Sequence, residues 1–349
     1  MSTHPLLGVD HLRVEYPVRN RPPFRAIDDV TFAIGPRETV GLVGESGSGK
    51  TTIANTVLGF VPAAAGTITF DGEDIVGATR DRRRRLSASL QVVLQDPYSS
   101  LNPSRTIVKT LSETLRPHGS PSKSEVAERV ASILERVGLD PAAADRYPNQ
   151  LSGGQRQRIA IARALTVRPR LVICDEPVSS LDLSVQAQVL NLLRSLQDEL
   201  GLSYLFISYD LAVVRHISMR VVVLYRGRVM EAGPAAVVYR HPAHPYTRAL
   251  LQSVPVPDPN LQRDRRASRQ RGTPDLPGTV KPESCPFAPR CPWAVDLCRE
   301  QQPTQELTSE GVMVACHRWR EVAEIPSRHQ SRPRPTPAAD CGPTPERIR

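Results

Sequence analysis

Thr39-Val-Gly-Leu-Val43 runs directly into Gly44-Glu45-Ser46-Gly47-Ser48-Gly49-Lys50-Thr51, and the stretch from Thr51 to Leu58 that follows is helix-competent. The first five residues read as a short buried parallel strand. The next eight match G-x-x-x-x-G-K-[ST], in the strand-before, helix-after context that this motif requires. Gly44, Gly47 and Gly49 leave backbone N–H groups room to wrap phosphates. The helix start presents the positive end of its dipole to the same point. Lys50 is placed to reach the terminal phosphates and the Thr51 hydroxyl to hold Mg²⁺, with Thr52 next in the first turn. A strand, a phosphate loop and a helix in this order predict an α/β fold with a nucleoside polyphosphate site.

A second stretch completes the site. Leu171-Val-Ile-Cys174-Asp175-Glu176 is an apolar strand ending in two carboxylates, at the rim of the sheet where ligands of open α/β folds sit. Asp175 would hold Mg²⁺ through water, and Glu176 would polarise the water that attacks the terminal phosphate. Around these stretches the chain alternates. Strands are expected at Leu12–Tyr16, Val30–Ile34 and Thr67–Phe70, and the first hundred residues read as strands and turns. Val126, Val130, Ile133, Leu134 and Val137 recur at helical spacing, so Ser122 to Gly138 reads as a helix stopped by its glycine. From Gln155 on, helix and strand alternate as Gln155–Val167, Leu171–Cys174, Val185–Leu200 and Ser203–Ile207, the pattern of a parallel sheet.

Leu151-Ser152-Gly153-Gly154-Gln155-Arg-Gln-Arg158-Ile-Ala-Ile-Ala-Arg163 precedes the carboxylate strand. Ser152, Gly153 and Gly154 make a second helix start suited to an anion. One nucleotide cannot easily engage two such starts so far apart in one domain, which suggests a second molecule. With this segment the chain resembles the ATP-binding subunits of ABC transporters. That resemblance implies head-to-tail pairing, each ATP held between one chain's phosphate loop and the signature segment, Leu151 to Gln155, of the other. It further implies that Gln95 links Mg²⁺ to the transmembrane partner, that the loop Ser180-Leu181-Asp182 crosses the dimer interface, and that Tyr16 stacks on adenine, with Phe24 as competitor because Arg19–Pro23 blurs the alignment. Asp96-Pro-Tyr-Ser-Ser-Leu-Asn-Pro103 and His244-Pro-Tyr-Thr-Arg-Ala-Leu-Leu251 resemble the dipeptide, oligopeptide and nickel importer branch. Where the family places a histidine after the strand ending at Ser208, this chain has Tyr209, and His216 occupies a different position. The site is therefore expected to hydrolyse slowly while its signature segment serves a partner.

The resemblance implies a P-loop ATPase domain over residues 6–256, with a helical subdomain inserted at about 96–160. A C-terminal extension follows over 257–320, then a disordered tail over 321–349. Its partners would be two permease subunits, a second ATPase subunit and, indirectly, an extracytoplasmic solute-binding protein, at the cytoplasmic face of the cell membrane. A nickel or other small-solute importer is the alternative, and a soluble ABC protein of translation or repair is the competing class.

Cys285, Cys291, Cys298 and Cys316 follow a C-x5-C-x6-C-x17-C pattern. In a cytosolic protein such a set reads as a metal site, but it lacks the C-x-x-C knuckles usual for structural zinc. Four thiolates also suit an iron–sulfur cluster, and peptide importers resembling this chain carry 4Fe–4S at matching cysteines. The ranking is 4Fe–4S, then zinc, then free thiols. The Pro- and Cys-rich stretch itself reads as a small module stapled by something other than a core. Cys174 and Cys341 are expected to be inert, and His317 to be a plain surface residue.

Composition bounds the rest. The chain has 349 residues, 40% of them hydrophobic, so it can bury a large core. No apolar run approaches the roughly 20 residues of a membrane helix, and Met1–Asp10 does not read as a signal peptide. Of the net charge of +9, most sits in two arginine-rich stretches, Arg80–Arg85 and Leu261–Gly272. With aromatics at only 5%, these read as solvated basic loops, or weakly lipid-attracted ones, rather than a nucleic-acid face.

Overall fold

The structure is a computed structural model and describes residues 4–96, 100–119, 122–253, 281 and 283–325. Pro97–Ser99, the Leu261–Gly272 stretch, Cys341 and the expected tail beyond Ile325 lie outside the described residues.

β1 (Leu7–Val18) and β2 (Arg21–Ile34) form a long antiparallel hairpin. Asn20 turns it with a left-handed φ of 58°, a conformation that asparagine tolerates. β3 (Thr39–Val43) then leaves for a second sheet, while β4 (Ala65–Phe70) and β5 (Glu73–Asp74) complete the first in the order β2-β1-β4-β5. The second sheet takes β6 (Leu90–Val93), β7 (Leu171–Asp175), β8 (Ser203–Ser208), β9 (Arg220–Tyr225), β10 (Arg228–Pro234), β11 (Glu306–Leu307) and β12 (Met313–Val314). Its order is β11-β12-β10-β9-β3-β8-β7-β6, parallel from β9 to β6 and antiparallel beyond.

Strand alternation divides the interior. On β7, Leu171 and Ile173 join the cluster that faces the antiparallel sheet, and Val172 and Cys174 join the one that faces the helices. On β8, Leu205 and Ile207 go one way and Tyr204 and Phe206 the other. Both faces of the large sheet are thus covered, which is why β3, β7 and β8 are buried at every residue.

Between β6 and β7 the chain forms helices at Ile107–Glu113, Lys123–Arg136 and Gly153–Leu165. Lys123–Arg136 begins in a reciprocal cap between Ser122 and Glu125, and Gly138 follows it at φ 71°. Its buried Val130, Ile133 and Leu134 share a cluster with Ile107 and Leu111.

Three expectations are corrected. Residues 321–324 belong to the helix Trp319–Glu324, with Val322 buried, rather than to a disordered tail. Arg80–Leu86 is a helix rather than a loop, capped by the Thr79 hydroxyl. Its Arg83 is half-buried and donates to the carbonyls of Val57, at 2.9 Å, and Ile75, at 2.6 Å, so the run carries a structural anchor among solvated neighbours. The Cys-rich stretch is not stapled independently of a core. β12 pairs with β10 through Glu231↔Val314 and Ala232↔Met313, and Phe287, Ala288 and Val312 belong to the main cluster. The rings of Tyr225, Tyr246 and Phe287 pack together with centroids 4.6 to 5.4 Å apart. Among the described residues no helix is long and apolar enough to cross a membrane.

The Arg83 anchor is testable by thermal melting. Arg83→Ala leaves two carbonyls without their donor and is expected to destabilise by about 1–3 kcal/mol. Arg84→Ala, which loses only an exposed i,i+3 pair with Asp81, should change stability by less than about 0.5 kcal/mol.

Candidate nucleotide site

The helix Lys50–Leu58 starts at Gly49, whose φ of 106° is open only to glycine, and Gly47 turns at φ 75°. A Cβ on Gly49 would stand 2.5 Å from Ile27 Cδ1 and 3.1 Å from the Ala26 carbonyl, whereas one on Gly47 would meet nothing within 4 Å. The loop is held from outside: Gly227 N–H donates to the Ser48 carbonyl at 2.8 Å, and Glu45 N–H donates to Tyr246 Oη at 2.9 Å. Gly227 and Arg226 both have positive φ and form the two-residue turn between β9 and β10.

Lys50 Nζ donates to the carbonyls of Gly44, at 2.8 Å, and Glu45, at 3.0 Å. Burial lowers its pKa, against the opposing pull of the Glu176, Asp175 and Glu45 carboxylates. Thr51 Oγ1 donates to Asp175 Oδ1 at 3.4 Å. Burial raises the pKa of both Asp175 and Glu176. Glu176 takes a left-handed φ of 48°, its N–H donating to the Ile207 carbonyl at 3.0 Å. A non-glycine residue in that region is strained, and such strain concentrates at functional sites. Gln95 Nε2 donates to Glu176 Oε2 at 2.7 Å. A lysine and a hydroxyl facing two carboxylates can take up a metal-bound polyphosphate, since the cation compensates the acids and the lysine the phosphates.

A cleft of about 1110 Å³ gathers these groups. It is lined by Glu45, Ser46, Gly47, Gly49, Lys50, Thr51, Thr52, Gln95, Glu176 and Tyr209, as well as by Tyr16 and Phe24. Tyr16 and Phe24 are direct cross-strand partners in the β1–β2 hairpin, so the two competing aromatics stand side by side on one wall. Gly44, Ser48 and Asp175 are buried. Arg25, Arg226 and Leu250 also line the cleft, and sequence reading missed them. Gly227, between the strand-like runs Val221–Tyr225 and Arg228–Met230, is the sequence signal for that turn.

Other candidates lie elsewhere. Leu151, Ser152, Gly153, Gly154 and Gln155 do not line this cleft. Ser152 and Gln155 form a reciprocal cap that starts the helix Gly153–Leu165, and a Cβ on Gly154 would press Val185 Cγ1 at 2.7 Å. Asp182 caps the helix Leu183–Leu200, its Oδ1 accepting from Ser184 and Val185 N–H. Cys285, Cys291, Cys298 and Cys316 line one small cavity with Trp293 and His317. Burial raises the Cys291 thiol to about 11 and Cys316 to about 12. Among the described residues no three His, Cys, Asp or Glu side chains converge closely enough to hold a single metal ion. Cys174 is wholly buried in β7 and its thiol pKa is raised by burial.

Comparison with known proteins fits this geometry. Residues 27–179 match the ABC transporter family, and residues 230–298 match the oligopeptide/dipeptide transporter C-terminal region. A putative peptide import ATP-binding protein of Brucella ovis is 48% identical over 319 residues, covering 91% of this chain and 99% of its own. The chain belongs to the ATP-binding proteins of the ABC transporter family. The oligopeptide transport ATP-binding protein OppF of Salmonella typhimurium is 45% identical, over 86% of this chain and 92% of OppF. Among solved structures, the ATP-binding cassette MJ0796, dimeric and bound to ADP and phosphate after hydrolysis, aligns at a TM-score of 0.60 and 27% identity, over 66% of this chain and 98% of that one. As an ABC ATPase, the chain uses ATP and Mg²⁺.

The loop geometry orders two glycine substitutions. Gly47→Ala should cost about 1–2 kcal/mol in left-handed strain alone. Gly49→Ala adds steric contact with Ile27 and Ala26 and should cost clearly more. Denaturant unfolding of both variants checks the order.

Proposed function

We propose that this ABC ATPase energises the import of peptides, working from the cytoplasmic face of the membrane on two permease subunits and paired with a second ATPase subunit. The observation that carries the reading is the C-terminal region: it matches the oligopeptide/dipeptide type and is built into the ATPase sheet through β12. That region speaks against a soluble ABC protein without membrane partner. Co-purification with permease and solute-binding partners, followed by identification of the bound solute, tests it. A peptide supports the reading, and nickel or another small solute overturns it.

In the proposed cycle Lys50 and the loop amides bind the phosphates, and Thr51, Gln95 and Asp175 are the residues that would hold Mg²⁺. Tyr16 or Phe24 stacks on the base, and Glu176 takes the proton of the attacking water. The signature segment Leu151–Gln155, lying outside the chain's own cleft, serves the partner's ATP, with Asp182 near the interface. The helices between β6 and β7 form the subdomain that meets the permease. Tyr209 stands at the switch position and is 53% exposed at the cleft wall. A phenol donates a hydrogen bond but carries no imidazolium charge, so the chain's own site turns over slowly and binds ATP normally.

Turnover needs the Glu176 carboxylate. Its pKa is raised above the ordinary 4.5 by burial, so kcat/KM, which reports the free enzyme, is held at high pH and is lost on acidification at a pH above that ordinary value. Glu176→Gln should lose turnover at every pH and keep ATP binding. Tyr209→His should raise the rate by about 10²-fold, the scale of one positioned donor. A wild-type rate not exceeded by the histidine variant overturns the slow-site reading.

The four cysteines are proposed to hold a 4Fe–4S cluster, with zinc as runner-up. What supports a shared site is that the four thiols line one small cavity, and four thiolates suit such a cluster. Bound, such a group would supply a fixed cross-link among the four chain segments. Anaerobically purified protein should contain iron and absorb visible light, and Cys291→Ser should lose both. Stoichiometric zinc without iron favours the runner-up.

A further inference from the structure

The phosphate loop carries one acidic side chain, Glu45, and it lines the cleft beside Ser46, Gly47 and Lys50. An unpaired carboxylate there would oppose the charge of a polyphosphate. Arg290, from the far end of the chain, meets it with both guanidinium arms: Nη1 donates to Oε2 at 2.8 Å and Nη2 to Oε1 at 3.0 Å. Such fork-to-carboxylate pairs fix geometry as well as charge. The guanidinium is itself placed, since Nη1 reaches Tyr225 Oη at 3.5 Å and its carbon lies 5.9 Å from the ring centroids of Tyr225 and Phe287. Arg290 ends the short turn Ala288–Arg290, immediately before Cys291.

We propose that Arg290 is a positioning residue of the nucleotide site: it cancels the Glu45 carboxylate, so that the C-terminal extension sets part of the affinity for ATP. Both partners are partly exposed, with side chains 37% and 41% accessible, so the effect is moderate and falls as salt rises. The inference rests on ATP binding by the phosphate loop and is independent of the transported solute.

The test measures the affinity of the full chain for a fluorescent ATP analogue with Mg²⁺ at low and high salt. Arg290→Ala leaves Glu45 uncompensated and should weaken binding by about fivefold, the upper range for a partly exposed pair. Arg290→Lys should recover most of the loss, because a point charge suffices for cancellation. Glu45→Gln leaves Arg290 uncompensated and should tighten binding by about twofold or more. The double variant should return close to wild type, and all differences should shrink at high salt. A purely structural contact would not produce opposite signs in the two single variants, nor rescue in the double. Wild-type affinity in Arg290→Ala, or a double variant as weak as Arg290→Ala, overturns the proposal. Lys50→Ala separates the two layers: affinity unchanged in that variant removes the phosphate-loop assignment itself, whatever Arg290 does.

Discussion

A phosphate loop has to offer most of its backbone N–H groups to the ligand, so few of them are left to hold the loop in place. The holding must come from elsewhere. In this chain three distant elements supply it. The β9–β10 turn gives Gly227 N–H to Ser48, the helix Pro245–Ser253 gives the Tyr246 hydroxyl to Glu45, and the turn before Cys291 gives Arg290 to the Glu45 carboxylate. Much of the architecture outside the parallel sheet makes sense as the scaffold of these contacts. The β1–β2 hairpin serves the same cleft by setting Tyr16 and Phe24 opposite each other.

The electrostatics of the site follow from burial. Two carboxylates and an ammonium share a region where each charged form is disfavoured, and all three pKa values move toward the neutral state. Adding a divalent cation and an anionic polyphosphate compensates every one of them.

Local signals made the centre legible. β3, the glycines of the loop, the carboxylates after β7 and the helix after Ser122 all have patterns confined to a few neighbouring residues, and each was placed to within a few positions. What stayed hidden was non-local. Arg83 could not be told from its neighbours in a run of arginines, because its distinction is the carbonyls of Val57 and Ile75. β11 and β12 are two residues each, too short for any period to appear. The expectation of a free-standing cysteine module failed for that reason: its strands are recognisable only beside β10. Arg290 and Glu45 are 245 positions apart, and no spacing rule joins them. The Tyr16 and Phe24 alternatives turned out to be partners because the turn at Asn20 places them in register.

The extension of the sheet by β12 has a consequence for biosynthesis. The ribosome releases the chain from its amino end, so the phosphate loop, both carboxylates and all five parallel strands emerge before residues 283–325. Until Met313–Val314 arrives, β10 presents an unpaired edge, and until Arg290 arrives, Glu45 stands uncompensated beside the phosphate loop. A nascent or truncated chain thus has a nucleotide site that is formed in outline but under-charged, with an open edge of the kind that invites mispairing. The pairing of β12 with β10 and the contact of Arg290 with Glu45 therefore form late, joining parts of the chain that leave the ribosome far apart in time.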